Sequence, residues 1–217
     1  MLVFAGGCAR NQATEIDDRD AARMSYLLGV EMANNGFDRK AIKNFAVART
    51  HDADYPNLAH RMAVSYGRLG ESTRARKEFR RALEQSPADA ELHNDYGYFL
   101  YQTGAWEEAE NAFREALRHN PEMERAHINL GLALAQQGHF DLAITEFQEV
   151  VPKAEALTNA GMVMAQLGLI DRARRTFQAA LQEQPDLTRA RQALSILEGA
   201  EPEAEGAAKN QVRPRNW

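Results

Sequence analysis

Residues 90–123 read AELHNDYGYFLYQTGAWEEAENAFREALRHNPEM. Two glycines, Gly97 and Gly104, stand seven apart, and Ala109, Phe113, Ala116 and Pro121 follow. The i, i+4, i+7 spacing of Ala109, Phe113 and Ala116 puts them on one face of a helix. Gly104 separates two helical patterns, where a positive φ costs glycine little, so the first helix ends there. Pro121 ends the second helix or opens the next. The stretch therefore reads as helix, tight turn, helix. Small residues facing each other let the two backbones approach, and Phe113 is expected to fill the space toward the neighbouring hairpin.

The same register extends in both directions. Glycine pairs recur at Gly29/Gly36, Gly131/Gly138 and Gly161/Gly168, with Ala63 in the place that partners Gly70. The Ala-x-x-x-Phe-x-x-small pattern recurs at Ala41/Phe45/Ala48, Ala75/Phe79/Ala82, Ala143/Phe147/Val150 and Ala173/Phe177/Ala180. Pro87 and Pro185 match Pro121. This period divides the chain into repeats at 22–55, 56–89, 90–123, 124–153 and 154–187. The fourth is four residues short, because Pro152 follows Val150 and Val151 directly. Four residues are about one turn, so its second helix should be shorter, with Pro152 in the first turn of the next. After the last repeat, Ala190, Ala193, Leu194 and Leu197 share a face opposite Arg189, Arg191 and Gln192. That pattern suits a capping helix over 188–199 that covers the final hairpin. Residues 200–217 are rich in Glu, Ala, Gly and Pro and are expected to be a disordered tail.

Composition agrees. The 217 residues are 44% hydrophobic and 26% charged, and their alanine richness favours helix. A net charge of −5 argues against an extended nucleic-acid surface, which needs clustered positive charge. The one cysteine rules out an intrachain disulfide and a Cys-based zinc site. No apolar run approaches the roughly 20 residues that a membrane-spanning helix needs. There is no phosphate-binding glycine loop, dinucleotide fingerprint, His-Glu-x-x-His helix or nucleophile turn. Repeats and cap use nearly the whole chain, so the expectation is a non-enzyme with no cofactor and no small-molecule substrate.

The histidines are the remaining candidates for chemistry. His93 and His127 hold the same repeat position one period apart, so they are expected near each other on adjacent hairpins. They read as flat rings at the hairpin edge rather than a metal half-site, since no carboxylate or cysteine stands at a matching position. No metal site is expected. His51 and His119 also match, near the ends of second helices, where a cation suits the helix dipole.

Tyr96, Gly97, Leu100, Gly104, Trp106, Ala109, Phe113, Ala116 and Pro121 together resemble the tetratricopeptide repeat, a helix-turn-helix unit of 34 residues. The resemblance implies an all-α, right-handed superhelical solenoid of stacked antiparallel helix hairpins with a C-terminal capping helix. It also implies a concave groove lined by first-helix residues. These are Tyr26 and Val30 in the first repeat, and Asn57 and His60 in the second. The third adds Asn94, Tyr98 and Tyr101, the fourth Arg125, Ile128 and Leu132, and the fifth Thr158 and Met162. Members of the family that clamp a chaperone's terminal carboxylate use Lys and Asn in the first repeat and basic residues in the third. Here those places hold Tyr26 and Val30, then Glu91 and Asp95, so a chaperone adaptor is not expected. Tyr98, Tyr101, Ile128, Leu132 and Met162 instead make an apolar stripe suited to an amphipathic helix or extended segment of a protein or peptide partner.

Residues 1–9 read MLVFAGGCA: apolar, then small, then the sole cysteine, followed by polar Arg10, Asn11 and Gln12. This resembles the end of a bacterial lipoprotein signal peptide. The resemblance implies a signal-like segment over 1–8, a cut before Cys8 and a lipid on its thiol. Residues 9–21 are polar and acidic and are expected to be a tether, with Asp17 to Asp20 near the start of the first helix. Such a start, together with Asn94–Tyr101, resembles the type IV pilus biogenesis lipoproteins of the pilotin kind, repeat proteins that help the outer-membrane secretin assemble. The expectation is an interaction scaffold lipid-anchored in a bacterial envelope and facing the periplasm. The alternative is a soluble cytosolic adaptor without lipid.

Overall fold

Of the glycines in the left-handed region, where a side chain would be strained, five join the two helices of a hairpin. They are Gly36, Gly70, Gly104, Gly138 and Gly168, with φ from 73° to 85°. After each, the next N–H reaches back five residues to close the helix end. Examples are Phe37 N–H to the Met32 carbonyl at 2.8 Å and Ala105 N–H to Leu100 at 3.0 Å. The structure, a computed structural model, describes the backbone of residues 7–199, with side chains from Asp17 onward. Residues 1–6, the Cys8 side chain and the expected tail at 200–217 lie outside the described residues.

The described residues form helices and no strand. In order these are α1 (Gly7–Asn34), α2 (Asp38–His51), α3 (Leu58–Arg68), α4 (Ser72–Gln85), α5 (Ala90–Gln102) and α6 (Trp106–His119). There follow α7 (Glu124–Gln136), α8 (Phe140–Gln148), α9 (Lys153–Gln166), α10 (Ile170–Glu183) and α11 (Thr188–Leu197). They divide into two compact units, Met1–Leu92 and His93–Trp217. In the first unit α1 packs on α2, α3 on α4, and α2 on α3. Its core gathers Ala41, Phe45, Ala48, Leu58 and Met62, with Tyr26 and Val30 packed against them. In the second unit each helix from α6 to α11 packs on the next, and α9 also touches α7 and α11.

The repeated phenylalanines Phe45, Phe79, Phe113, Phe147 and Phe177 are fully buried. Each of the four that partners a first-helix glycine lies on the glycine of its own hairpin. A Cβ at Gly29, Gly97, Gly131 or Gly161 would stand 2.5, 2.7, 2.5 or 2.6 Å from Phe45, Phe113, Phe147 or Phe177. This corrects the expectation that small residues meet small ones while Phe fills the gap between hairpins. The ring needs the whole space that the missing side chain leaves.

The tether expected at 9–21 is helical and continuous with the first repeat helix, since α1 begins at Gly7. No Gly or Pro interrupts residues 9–28, and Ala, Arg, Glu and Gln there are good helix formers. Asp17 to Asp20 thus lie well inside a helix, on exposed positions. α8 has 9 residues, against 14 in each of α2, α4, α6 and α10. Pro152 stands just before α9 rather than in its first turn, with φ −55°. In α11, Ala190 is fully buried. Arg189 is half-buried rather than turned outward, and burial lowers its pKa against the raising influence of Glu155.

Candidate functional site

The expected groove residues sort into two sets by burial. In the first unit, Tyr26 is committed to the core edge. Its ring centroid lies 4.9 Å from that of Tyr55 and 5.9 Å from that of Phe45. Val30 packs against the same cluster. Asn57 is exposed just ahead of α3, with φ 61°, a left-handed conformation that asparagine tolerates better than most residues. His60 is half-buried, its ring 6.2 Å from that of Phe79.

In the second unit two expected groove residues prove to be interior. Thr158 is 1% exposed, and its hydroxyl donates to the Ala154 carbonyl at 2.8 Å. Asn94 is 3% exposed and accepts from Asn129 Nδ2 at 3.0 Å. Neither side chain is offered to a partner in this conformation. Both are short and polar, and a neighbouring backbone or amide group satisfies them inside the packing.

The remaining positions of this unit stay accessible. Tyr98, Tyr101, Ile128, Leu132 and Met162 are half-buried, and Arg125 is exposed. They stand on the first helices α5, α7 and α9. Asn129 to Asn94, and Gln136 Nε2 to the Tyr101 hydroxyl at 3.3 Å, tie α7 to α5. Gln102 Nε2 donates to the Tyr98 hydroxyl at 2.7 Å. Burial raises the Tyr98 pKa, and the bond from Gln102 opposes that rise. Arg125 lies 3.8 Å from Asp95. These helices therefore carry half-buried apolar and aromatic side chains together with amide and phenol groups, a set that can bury a partner's apolar side chains while satisfying a few polar atoms.

The structure adds a histidine pair that the sequence reading did not foresee. His93 faces across its own hairpin to His119, with ring centroids 5.6 Å apart and the planes 20° from parallel. Glu115 joins them, so a carboxylate does accompany His93. Arg118 donates through Nε and Nη2 to Glu115 Oε2 at 2.9 and 2.7 Å, and through Nη2 to His119 Nε2 at 2.8 Å. Arg118 holds the Glu115 carboxyl below its ordinary value. His127 turns instead to Glu146 Oε2 and the Pro121 carbonyl, each at 2.9 Å. The four-residue spacing of Glu115 and His119 was a readable signal. The arrival of His93 was not, because the repeat period relates neighbouring hairpins and says nothing of contacts across one.

A family model of the middle TPR-like domain of cilia and flagella-associated protein 70 matches residues 59–161. A tetratricopeptide-repeat model matches residues 155–187. No protein of curated function matches in sequence. Among solved structures, YrrB, a TPR protein with an unusual peptide-binding site, is similar at TM-score 0.63 and 21% identity, covering 84% of this chain and 96% of that one. Pseudomonas aeruginosa pilF is similar at 0.62 and 22%, covering 84% and 85%. PilW, described as a widely conserved type IV pilus biogenesis factor, is similar at 0.62 and 23%, covering 82% and 90%.

Repeated glycine-turned helix pairs with a buried phenylalanine in each define an all-helical repeat protein. In particular, the chain has the tetratricopeptide-repeat fold, and residues 155–187 match the tetratricopeptide-repeat model itself. Its fold is that of a protein–protein interaction scaffold.

Proposed function

We propose that the chain is a non-enzymatic scaffold anchored in a bacterial envelope by a lipid on Cys8, facing the periplasm. Its second unit presents the stripe Tyr98, Tyr101, Ile128, Leu132 and Met162 to a helix or extended segment of a partner. The observation that carries this reading is the half-burial of all five side chains on the first helices of successive hairpins. A large apolar side chain left partly open on a rigid element is ready to bury area against a partner. The resemblance of residues 1–9 to a lipoprotein signal supports the anchor. The likeness to pilF and PilW supports a place in assembling a pilus or secretion complex. No helix among the described residues is long and apolar enough to cross a membrane, so in this reading the lipid alone holds the chain there.

Two measurements test it. Membrane fractionation and lipid labelling should place the wild type with membranes and release Cys8→Ser. If both stay in the soluble fraction, the anchor is rejected and the cytosolic adaptor takes its place. Affinity capture with mass spectrometry should identify a partner that the double variant Tyr98→Ala/Leu132→Ala binds more weakly, by ~1–3 kcal/mol for each side chain. Unchanged affinity with the fold intact rejects the groove.

A further inference from the structure

We propose that His93, Glu115 and His119 form a binding site for one divalent transition-metal ion of the zinc class. Glu115 and His119 lie four apart on α6, so their side chains leave the same face one turn apart. His93 meets them from α5, its ring stacked on that of His119. One ligand atom from each residue lies within 4.8 Å of the others. Tetrahedral zinc, with bonds of about 2.0–2.1 Å, holds its donors roughly 3.3 Å apart. The needed closure of about 1.5 Å is within the reach of rotamer adjustment on three partly exposed side chains. Two imidazoles and a carboxylate suit zinc and its first-row neighbours and leave a fourth position for water.

Arg118 provides an independent observation. A single guanidinium nitrogen, Nη2, lies 2.7 Å from Glu115 Oε2 and 2.8 Å from His119 Nε2. The lone pairs of both acceptors are therefore aimed at one point, and a positive charge already sits there. His119 accepts this bond through Nε2, the neutral nitrogen that a metal would also use. The Arg118 side chain is 62% exposed, so it can leave for water when a metal arrives. Arg118 is thus a competitor for the site, and its removal should improve metal binding. A purely structural ion pair makes no such prediction. The assignment is independent of whether the apolar stripe holds a partner.

The test is a calorimetric titration of the full chain with zinc chloride, with Cys8→Ser in every protein to remove the only thiol. The expected result is saturable binding of one ion per chain. His93→Ala, Glu115→Gln and His119→Ala should each weaken it by more than ~10-fold. Arg118→Ala should tighten it severalfold. His51→Ala, at another helix end beside Asp18, should leave it unchanged. Circular dichroism without metal checks that each variant is folded, and the exposed Arg118 position keeps the test open if a histidine variant is not. Absence of zinc binding, equal binding by the triple variant of the three ligands, or Arg118→Ala binding no tighter than the parent protein overturns the proposal.

Discussion

At Gly131 an added methyl group would lie 2.5 Å from Cε1 of Phe147, a ring with no exposed surface. Replacing a helical glycine by alanine ordinarily gains up to ~1 kcal/mol. Here the clash should outweigh that gain, because overpacking a filled core costs ~1–3 kcal/mol. Gly131→Ala should therefore lower stability in urea unfolding, by about 1–2 kcal/mol net. The glycines and phenylalanines were visible in the sequence through their spacing. Their direct pairing was not, since spacing reports which face a residue occupies and not how near the opposite helix comes. The same limit hid the burial of Asn94 and Thr158, which share first-helix positions with residues that stay accessible.

Between elements, a bidentate ion pair in the first unit joins α2 to α4. Arg49 Nη1 and Nη2 donate to the two carboxylate oxygens of Glu78 at 2.7 and 2.6 Å. The Glu78 side chain is only 10% exposed, so Glu78→Ala would leave a half-buried guanidinium without its carboxylate. The expected cost is about 2–3 kcal/mol in chemical denaturation. The double variant Arg49→Met/Glu78→Leu should recover most of it, because no unpaired charge remains. A weaker link joins the α2–α3 connection to α4. Asp54 accepts from Arg81 at 3.0 Å and from Gln85 at 2.9 Å, and these bonds, the one from Arg81 foremost, hold its carboxyl below the ordinary carboxylate value. Its folded-state pKa is depressed, so its stabilisation is present above the ordinary carboxylate range and fades as pH falls through the lowered value. Nuclear magnetic resonance should find the Asp54 midpoint below that of an ordinary aspartate, and Arg81→Met should return it upward. Element boundaries were largely legible, because each Gly turn and each Ala-Phe face announces itself. The exception is the start of α1: a polar, acidic stretch reads as a tether, but nothing in it breaks a helix.

Across the molecule, the chain divides within α5, and the second unit carries its own core in Leu100, Phe113, Leu130, Leu134, Phe147 and Phe177. A fragment of residues 88–217, which keeps all of α5, should therefore fold alone, with helical circular dichroism and a cooperative melt. A fragment that is helical but melts without a transition would show that this core depends on the first unit. The amino-acid sequence by itself determined the all-helical repeat class, because a 34-residue register of glycine, alanine and phenylalanine is a local signal that each unit restates. It also determined the short fourth repeat, since the deletion is a matter of counting. Only the tertiary structure decided that Phe rests on glycine within its hairpin, that Asn94 and Thr158 turn inward, and that His93 joins Glu115 and His119. Each of these depends on the distance and rotation between two helices. Packing of all their side chains together sets those quantities, and no short stretch encodes them.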